Sequence, residues 1–528
     1  MLSRRLTVTS FLFALLLFVA VTSAFAETQT GSLSNGEYYY YDITLPTPQT
    51  GMRLVLSSTA SSDFYLYTGT NHDEGSQVAA STGQTLHTLL VPAASLADGG
   101  SYHVRIYAND DLTYSYTPDP TFLRALAWDN GATLSGTSII TQPDTAGGDY
   151  LFKITGQSPL HPAWRNVLKV NSGEADLYLQ QGSAPETGGS YSSVNAGSDI
   201  IYLNADDSLD GQEWYIRVHA APGASWQLTS GDLYVQDLTW DNGSTPGGTS
   251  TISQPAPGAG DYFFRITSQT PATGAWRTVL NVLGGEADFY LQQGSIPLGD
   301  TTYQSTGSGS DGLILAASQY SNNQSWYIRV HASGASSSWN IFSGDIYAQD
   351  IGTVGDTSSI PAATIGPEGT YYYKTSVDAT IRAWRLWLNG GNQTLWVKQS
   401  TAPVKTAWTD QAEQFEVGQM LLVPPYLTNA VYFIGVTGAP GSSITLDSRK
   451  QQVTTLSFAG STTNTISGYG YTTCRVDVPI DQIAWQINLT PGLAGQNPEL
   501  YIRSGDIPNR WTNSALSEAP AGVTESIT

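Results

Sequence analysis

The sequence predicts an all-β chain built from tandem β-sandwich, jelly-roll-like domains of about 110 residues. Three observations carry this. First, one stretch occurs twice almost verbatim: WRNVLKVNSGEADLYLQQG from Trp164 and WRTVLNVLGGEADFYLQQG from Trp276, offset by 112 residues. Second, apolar and polar residues alternate with period two, the mark of half-buried strands. Third, Gly, Pro and Ser punctuate the runs, and beyond the first 26 residues no window of about twelve residues has helical periodicity.

The 112-residue offset also joins Gly148-Asp149-Tyr150 to Gly260-Asp261-Tyr262, and the Trp214 to Ala220 stretch to Trp326 to Ala332. In the first copy of the strand at 164–170, Trp164, Asn166, Leu168 and Val170 point one way and Arg165, Val167 and Lys169 the other. Trp214, Ile216 and Val218 alternate with Tyr215, Arg217 and His219. Weaker copies flank this pair. Tyr38 takes the place of Tyr150, Asp63 to Tyr67 resembles the Asp-Leu-Tyr-Leu stretch, and Tyr102 to Ile106 stands for Trp214 to Val218. A fourth copy opens near Thr370 and continues through Ala383 to Leu388 and Tyr432 to Val436. A fifth shows Ala484 to Leu489 and Glu499 to Gly505 and then stops. The expected organisation is a leader at 1–26, repeats at 27–123, 124–235, 236–347 and 348–453 (the last divergent), and a partial or degenerate repeat at 454–528. For the fifth, three explanations stay open: a longer natural protein, a fragment, or a degenerate cap. Ala127 to Ala132 and Thr239 to Ser244 are repeat equivalents with Asn-Gly at a turn, read as an edge hairpin opening the next domain rather than a linker.

The first residues read as an export signal. Arg4 and Arg5 precede an apolar run from Phe11 to Val21, and Ala24-Phe25-Ala26 offers small residues for cleavage before Glu27. A retained anchor is the alternative. No second apolar stretch of membrane length follows, so no membrane insertion is expected after cleavage. The location expected is outside the cell, secreted or at the surface of a bacterium.

Composition fits. Charged residues are 12%, about half the usual share. The 14 Trp and 30 Tyr are many. A net charge of -22 opposes nucleic acid and anionic lipid. One cysteine, Cys474, allows no disulfide within the chain.

The motifs resemble the bacterial pre-peptidase C-terminal (PPC) domain family. They are Asp261-Tyr262-Phe263-Phe264, Ala287 to Leu291 followed by Gly294 and Pro297, and Trp326 to Val330. Asp149-Tyr150, Ala175 to Leu179, Gly182, Pro185 and Trp214 to Val218 repeat them. The resemblance covers 124–345 well and the flanks loosely. It implies a small jelly-roll sandwich with an accessory role in stability, secretion or attachment. Only Asp176 and Asp288 keep the family's paired acidic positions, which puts a calcium site of that kind in doubt.

No residue receives a catalytic, cofactor-binding or metal-ligating assignment. His219 and His331 read as partly exposed sheet positions, and no ligand series has metal spacing. His72-Asp73-Glu74 is the one compact metal candidate. Asp206-Asp207 with Asp210, and Asp110-Asp111, are acidic loops that leave room for calcium. Gly307 to Gly312 lacks the strand, helix and lysine of a phosphate loop and reads as a flexible surface loop. Cys474 reads as a buried structural thiol rather than a nucleophile. Tyr38 to Tyr41 and Tyr371 to Tyr373 place rings on both faces of a strand. Core plus ordinary surface is the reading preferred for a sandwich, with half of the rings inside; a flat glycan-binding face or a contact between units is the alternative for the others.

The function expected is non-catalytic: a structural, adhesive or binding protein whose modules contact mainly their neighbours and form a rod. Extracellular protein or glycan are the partners expected. The alternatives are an accessory N-terminal region of a larger secreted hydrolase, a peptidase, or an array of carbohydrate-binding modules.

Overall fold

A computed structural model describes residues 28–44, 52–69, 72, 76–91, 95–96, 100–119, 123–142, 147–185, 188–205, 210–256, 259–357, 360–388, 393–404, 414–466, 470–493 and 495–528. The segment 1–26, expected to be a leader, lies outside them. Strand dominates throughout, as expected. The chain divides into two units, Met1–Leu233 and Tyr234–Thr528, taken one at a time below.

The first unit opens with six strands: β1 (Gln29–Leu33), β2 (Tyr38–Thr44), β3 (Met52–Thr68), β4 (Gln77–Val91), β5 (Ser101–Ala108) and β6 (Leu112–Asp119). They form one sheet of order β1-β6-β3-β5-β2, with β4 also on β3. The long β3 serves both halves. Arg53 to Ser58 pairs with β6 and Ser62 to Thr68 with β5, the register shifting between. Its two apolar sets, Met52, Leu54 and Leu56, then Phe64 and Leu66, meet Val104 and Ile106 in one core.

Next come β7 (Leu123–Ala125), β8 (Ile139–Thr141), β9 (Gly148–Thr155), β10 (Ala163–Ser172), β11 (Ala175–Gln181), β12 (Tyr191–Ser193), β13 (Asp199–Asn204), β14 (Glu213–Ala220) and β15 (Ser225–Asp232). One layer has the order β12-β11-β14-β9-β7, the other β13-β10-β15-β8. The chain therefore passes from layer to layer at nearly every step. Passing from β7 through β8 to β9 makes a full coil whose return strand is parallel to its start.

The second unit repeats this course. Its strands are β16 (Val235–Asp237), β17 (Ile252–Ser253), β18 (Gly260–Thr267), β19 (Ala275–Gly284), β20 (Ala287–Gln293), β21 (Tyr303–Ser305), β22 (Asp311–Ala316), β23 (Ser325–Ala332) and β24 (Ser338–Asp345). Then follow β25 (Ala348–Thr353), β26 (Ala363–Thr364), β27 (Thr370–Val377), β28 (Trp384–Leu388), β29 (Thr394–Gln399), β30 (Gln414–Val417), β31 (Gln419–Leu422), β32 (Ala430–Thr437), β33 (Ser443–Ile444) and β34 (Leu446–Lys450). Again β16 returns as a parallel β18, and β25 as a parallel β27.

This corrects the expected architecture. Tandem sandwich or jelly-roll domains of about 110 residues are not what the chain builds, and the PPC-type arrangement that the resemblance implied falls with them. Residues 123–476 wind as a β-solenoid of about 13 turns. The 112-residue period spans several turns of that winding and opens each time on a parallel return. Strand patterning alone does not separate the two architectures, because both alternate inward and outward residues with period two.

The opening segments are not edge hairpins either. Asp129 and Asp241 make isolated parallel bridges to Gly231 and Gly344. Each carboxylate is fully buried. Asp129 accepts from the amides of Gly131, Thr137 and Ser138, from Thr137 Oγ1, and from Arg165 Nη2 at 3.2 Å. Asp241 accepts from Gly243, Thr249 and Ser250 in the same way. A Cβ at Gly231 or Gly344 would overlap the aspartate's own backbone, so only glycine admits this approach.

Trp164, Trp276 and Trp384 occupy one position in successive periods, and all are fully buried. Each donates its indole N–H to a serine, Ser230, Ser343 and Ser448, at 2.9, 2.7 and 2.9 Å. Around 454–528 the strands shrink to two-stranded ladders, and Ile480 and Ile483 stand fully exposed.

Candidate binding face

The alternating residues of β2, β5 and β3 in the first unit make a three-by-three grid on one face of the sheet. The cross-strand rows are Tyr38, Tyr107, Asp63; Tyr40, Arg105, Tyr65; and Asp42, His103, Tyr67. Period two puts every second residue on this side, so the neighbours Tyr39, Tyr41, Phe64, Leu66, Val104 and Ile106 face the other. Of those, Tyr41 stacks on Tyr116 at 5.0 Å beside the core.

The grid is held by ring contacts. Tyr67 stacks on His103 at 5.2 Å, Tyr38 on Tyr107 at 6.4 Å, and Tyr40 on His72 at 4.3 Å. His72 also meets Asp42 at 3.0 Å. Arg105 sits at the centre with Cζ 4.5 Å over Tyr65 and 5.3 Å from the Tyr67 ring, within cation–π range. Tyr65 donates to Asp63, which also accepts from the Gly83 amide and Asn109. Burial opposes charge on Asp63, but these hydrogen bonds outweigh it and hold the carboxyl below its ordinary value. The grid ends at the sheet's edge strand β2, where Tyr38 is 57% exposed, while His103 beneath the rings is 2% exposed.

The corresponding faces of the next two periods are built differently. In one, β9, β14 and β11 align Asp149, His219 and Asp176 in one row and Leu151, Arg217 and Tyr178 in the next. In the other, β18, β23 and β20 align Asp261, His331 and Asp288, then Phe263, Arg329 and Tyr290. His219 and His331 each hold an aspartate, Asp149 and Asp261, at 2.8 Å through Nδ1. This hydrogen bond, opposed by burial and aided by the carboxylate charge, raises each imidazole above its ordinary 6.5. Pairing therefore stabilises the fold fully below pH 6.5 and is lost as pH rises through the raised value. An NMR titration should find both histidines above 6.5, and Asp149→Asn should bring His219 back toward it while leaving His331 unmoved.

The other sequence candidates scatter. His72 joins the grid, while Asp73 and Glu74 lie outside the described residues, as do Asp206 and Asp207. Asp110 and Asp111 serve a turn, accepting the amides of Asp111 and Asn35. Among the described residues no group of three His, Cys, Asp or Glu could hold a metal ion. The loop at Gly307 is tied down by the buried Asp311, which accepts its amide at 3.1 Å. Cys474 is exposed in a strand, not buried as expected, because its ladder (Val453–Leu456 with Thr473–Val476) has only two strands. Tyr371 to Tyr373 are core and contact rather than a free face. Tyr373 is fully buried, and Tyr372 packs with Ala275, Ala316 and Phe433.

Sequence reading singled out Tyr38 to Tyr41 but missed Arg105, Tyr107, Tyr65 and Tyr67 as their partners. The signal was present as alternation: Asp63, Tyr65, Tyr67 and His103, Arg105, Tyr107 are each spaced by two. What the spacing lacked was which strands neighbour which.

No protein-family model matches this chain, and no curated protein matches it. Among solved structures it is similar to Sulfolobus Turreted Icosahedral Virus, at 10% identity over 60% of this chain and 89% of the other, TM-score 0.15. A triple jelly-roll, turret-assembly structure from an archaeal virus gives 10% identity, 61% and 90% coverage, and TM-score 0.15. Streptomyces avermitilis alpha-L-rhamnosidase complexed with L-rhamnose gives 10%, 80% and 57%, and again 0.15. At these values they transfer neither fold nor activity. The class defined is a large, mostly β protein of two units. Among its described residues no helix is long and apolar enough to cross a membrane.

Proposed function

We propose that this chain is a non-catalytic binding protein that works outside the cell, and that its first sheet holds a glycan. The observation that carries this is the open grid of five tyrosines and a histidine around Arg105. Sugar rings present flat apolar C–H faces rimmed by hydroxyls, and tyrosines supply flat apolar area with a polar tip at low entropic cost. Asp42 and Asp63, at opposite corners, are hydrogen-bond acceptors for hydroxyls. The signal-like pattern of Arg4, Arg5 and the apolar run from Phe11 to Val21 is what supports the extracellular setting.

Glycan-array binding of the full chain tests the proposal. Tyr40→Ala and Tyr67→Ala should each weaken binding about tenfold. Tyr39→Ala, exposed on the opposite face, should leave it unchanged. An array without signal would sink the reading. A protein segment as ligand is the second reading. At the position of Tyr40, Leu151 and Tyr372 are buried against the preceding part of their own units.

A further inference from the structure

We infer that Arg105 makes the first face selective for acidic glycans, gripping the carboxylate of a uronate-type sugar. This rests on the glycan reading above and adds the ligand's charge to it. The argument comes from three arginines in one register position. Arg105, Arg217 and Arg329 each lie over a tyrosine, at 4.5, 4.4 and 4.2 Å. Arg217 then faces Asp149 at 3.6 Å and Arg329 faces Asp261 at 3.9 Å. In the first sheet the strand pairing puts Tyr38 at the aspartate's position, one residue before the place of Tyr150 that the sequence suggests, and the histidine beside it is replaced by Tyr107.

Arg105 has therefore kept its aromatic bed and lost its anion. Among the described residues it makes no ion pair; its Nε, like those of Arg217 and Arg329, is buried without a hydrogen-bond partner, so the missing ion pair is what sets it apart. Among the described residues no nearby carboxylate pairs with Arg105: Asp63 accepts from Tyr65, Asn109 and the Gly83 amide, and Asp42 meets His72. A half-buried guanidinium stripped of its counter-charge is costly to maintain. Its planar fork matches a carboxylate through two parallel hydrogen bonds. The surrounding rings, with Tyr38 more than half exposed, would cover the pyranose faces on either side.

The experiment compares polygalacturonate with the same polymer after chemical reduction of its carboxyl groups, using the full chain. Wild type should bind the acidic polymer about tenfold more tightly than the reduced one, and Arg105→Gln should erase that difference. The reduced polymer needs no variant, so a folding failure in Arg105→Gln leaves the test intact, and Arg105→Lys should keep part of the preference. Equal binding of the two polymers by wild type would overturn the inference while the glycan reading stood. Absence of binding to any glycan would overturn both. Polyglutamate held as tightly as polygalacturonate would overturn the sugar class.

Discussion

Trp276→Ala is expected to destabilise its unit by about 3–5 kcal/mol, the range for emptying a buried aromatic site. Trp276 is fully buried and makes edge contacts with Trp326 at 5.2 Å and Tyr320 at 5.0 Å, with Trp240 tilted at 5.4 Å. Truncation removes those contacts and takes one hydrogen-bond partner from the Ser343 hydroxyl, leaving it Thr278 Oγ1 at 2.7 Å. The surrounding strands are tied by ladders on both sides of β19, so the cavity cannot collapse fully. Trp276→Phe keeps most of the ring volume and loses only the N–H donor, so its cost should be clearly smaller. Urea unfolding followed by far-UV circular dichroism measures both. A Trp276→Ala chain as stable as the wild type would remove the indole from its structural role.

Asp129→Ala should cost about as much, again about 3–5 kcal/mol, for an electrostatic reason. The carboxylate closes its own loop through three amides and a hydroxyl and also neutralises Arg165, whose side chain is nearly as buried as its own. Removing it leaves a buried guanidinium with only the carbonyls of Leu134 and Thr133. Asp241→Ala should cost less. Its counterpart Arg277 keeps Glu368 at 3.6 Å as well as the carbonyls of Thr245 and Pro246. The pH dependence has a definite sign. Burial opposes the charge of Asp129, but the amides of Ser138, Thr137 and Gly131 outweigh it and hold its carboxyl at about 2, below the ordinary 3.8. This stabilisation is present above pH 3.8 and disappears as pH falls through 2. The wild type should lose stability across that window, and Asp129→Ala should lose less there. Equal acid sensitivity in both would contradict the assignment.

Much of this was readable in advance, and the failures have physical causes. Strand content, the 112-residue period, and the inward set of Trp164, Asn166 and Leu168 or Trp214, Ile216 and Val218 all followed from alternation, because a buried face demands apolar residues at every second position. Tyr38 to Tyr41 stand out in the sequence because two faces of one strand cannot both be core, and Tyr38 and Tyr39 are the exposed pair. The edge-hairpin reading of Asp129-Asn130-Gly131 failed. Asn-Gly marks a turn, but nothing local reveals that the aspartate's partners are amides up to nine residues on and an arginine further along the chain.

The sequence by itself determined that this chain is built of strands, that it repeats at 112 residues, and which side chains of each strand turn inward. Those properties depend on near neighbours along the chain, where period two is enforced by the pleat. Only the tertiary structure decided that the strands wind as a solenoid and that β2, β5 and β3 lie side by side. Strand order arises from hydrogen bonds between segments distant in sequence. For that reason Arg105 could be seen beside Tyr38 in place of an aspartate only once the strands were laid next to one another.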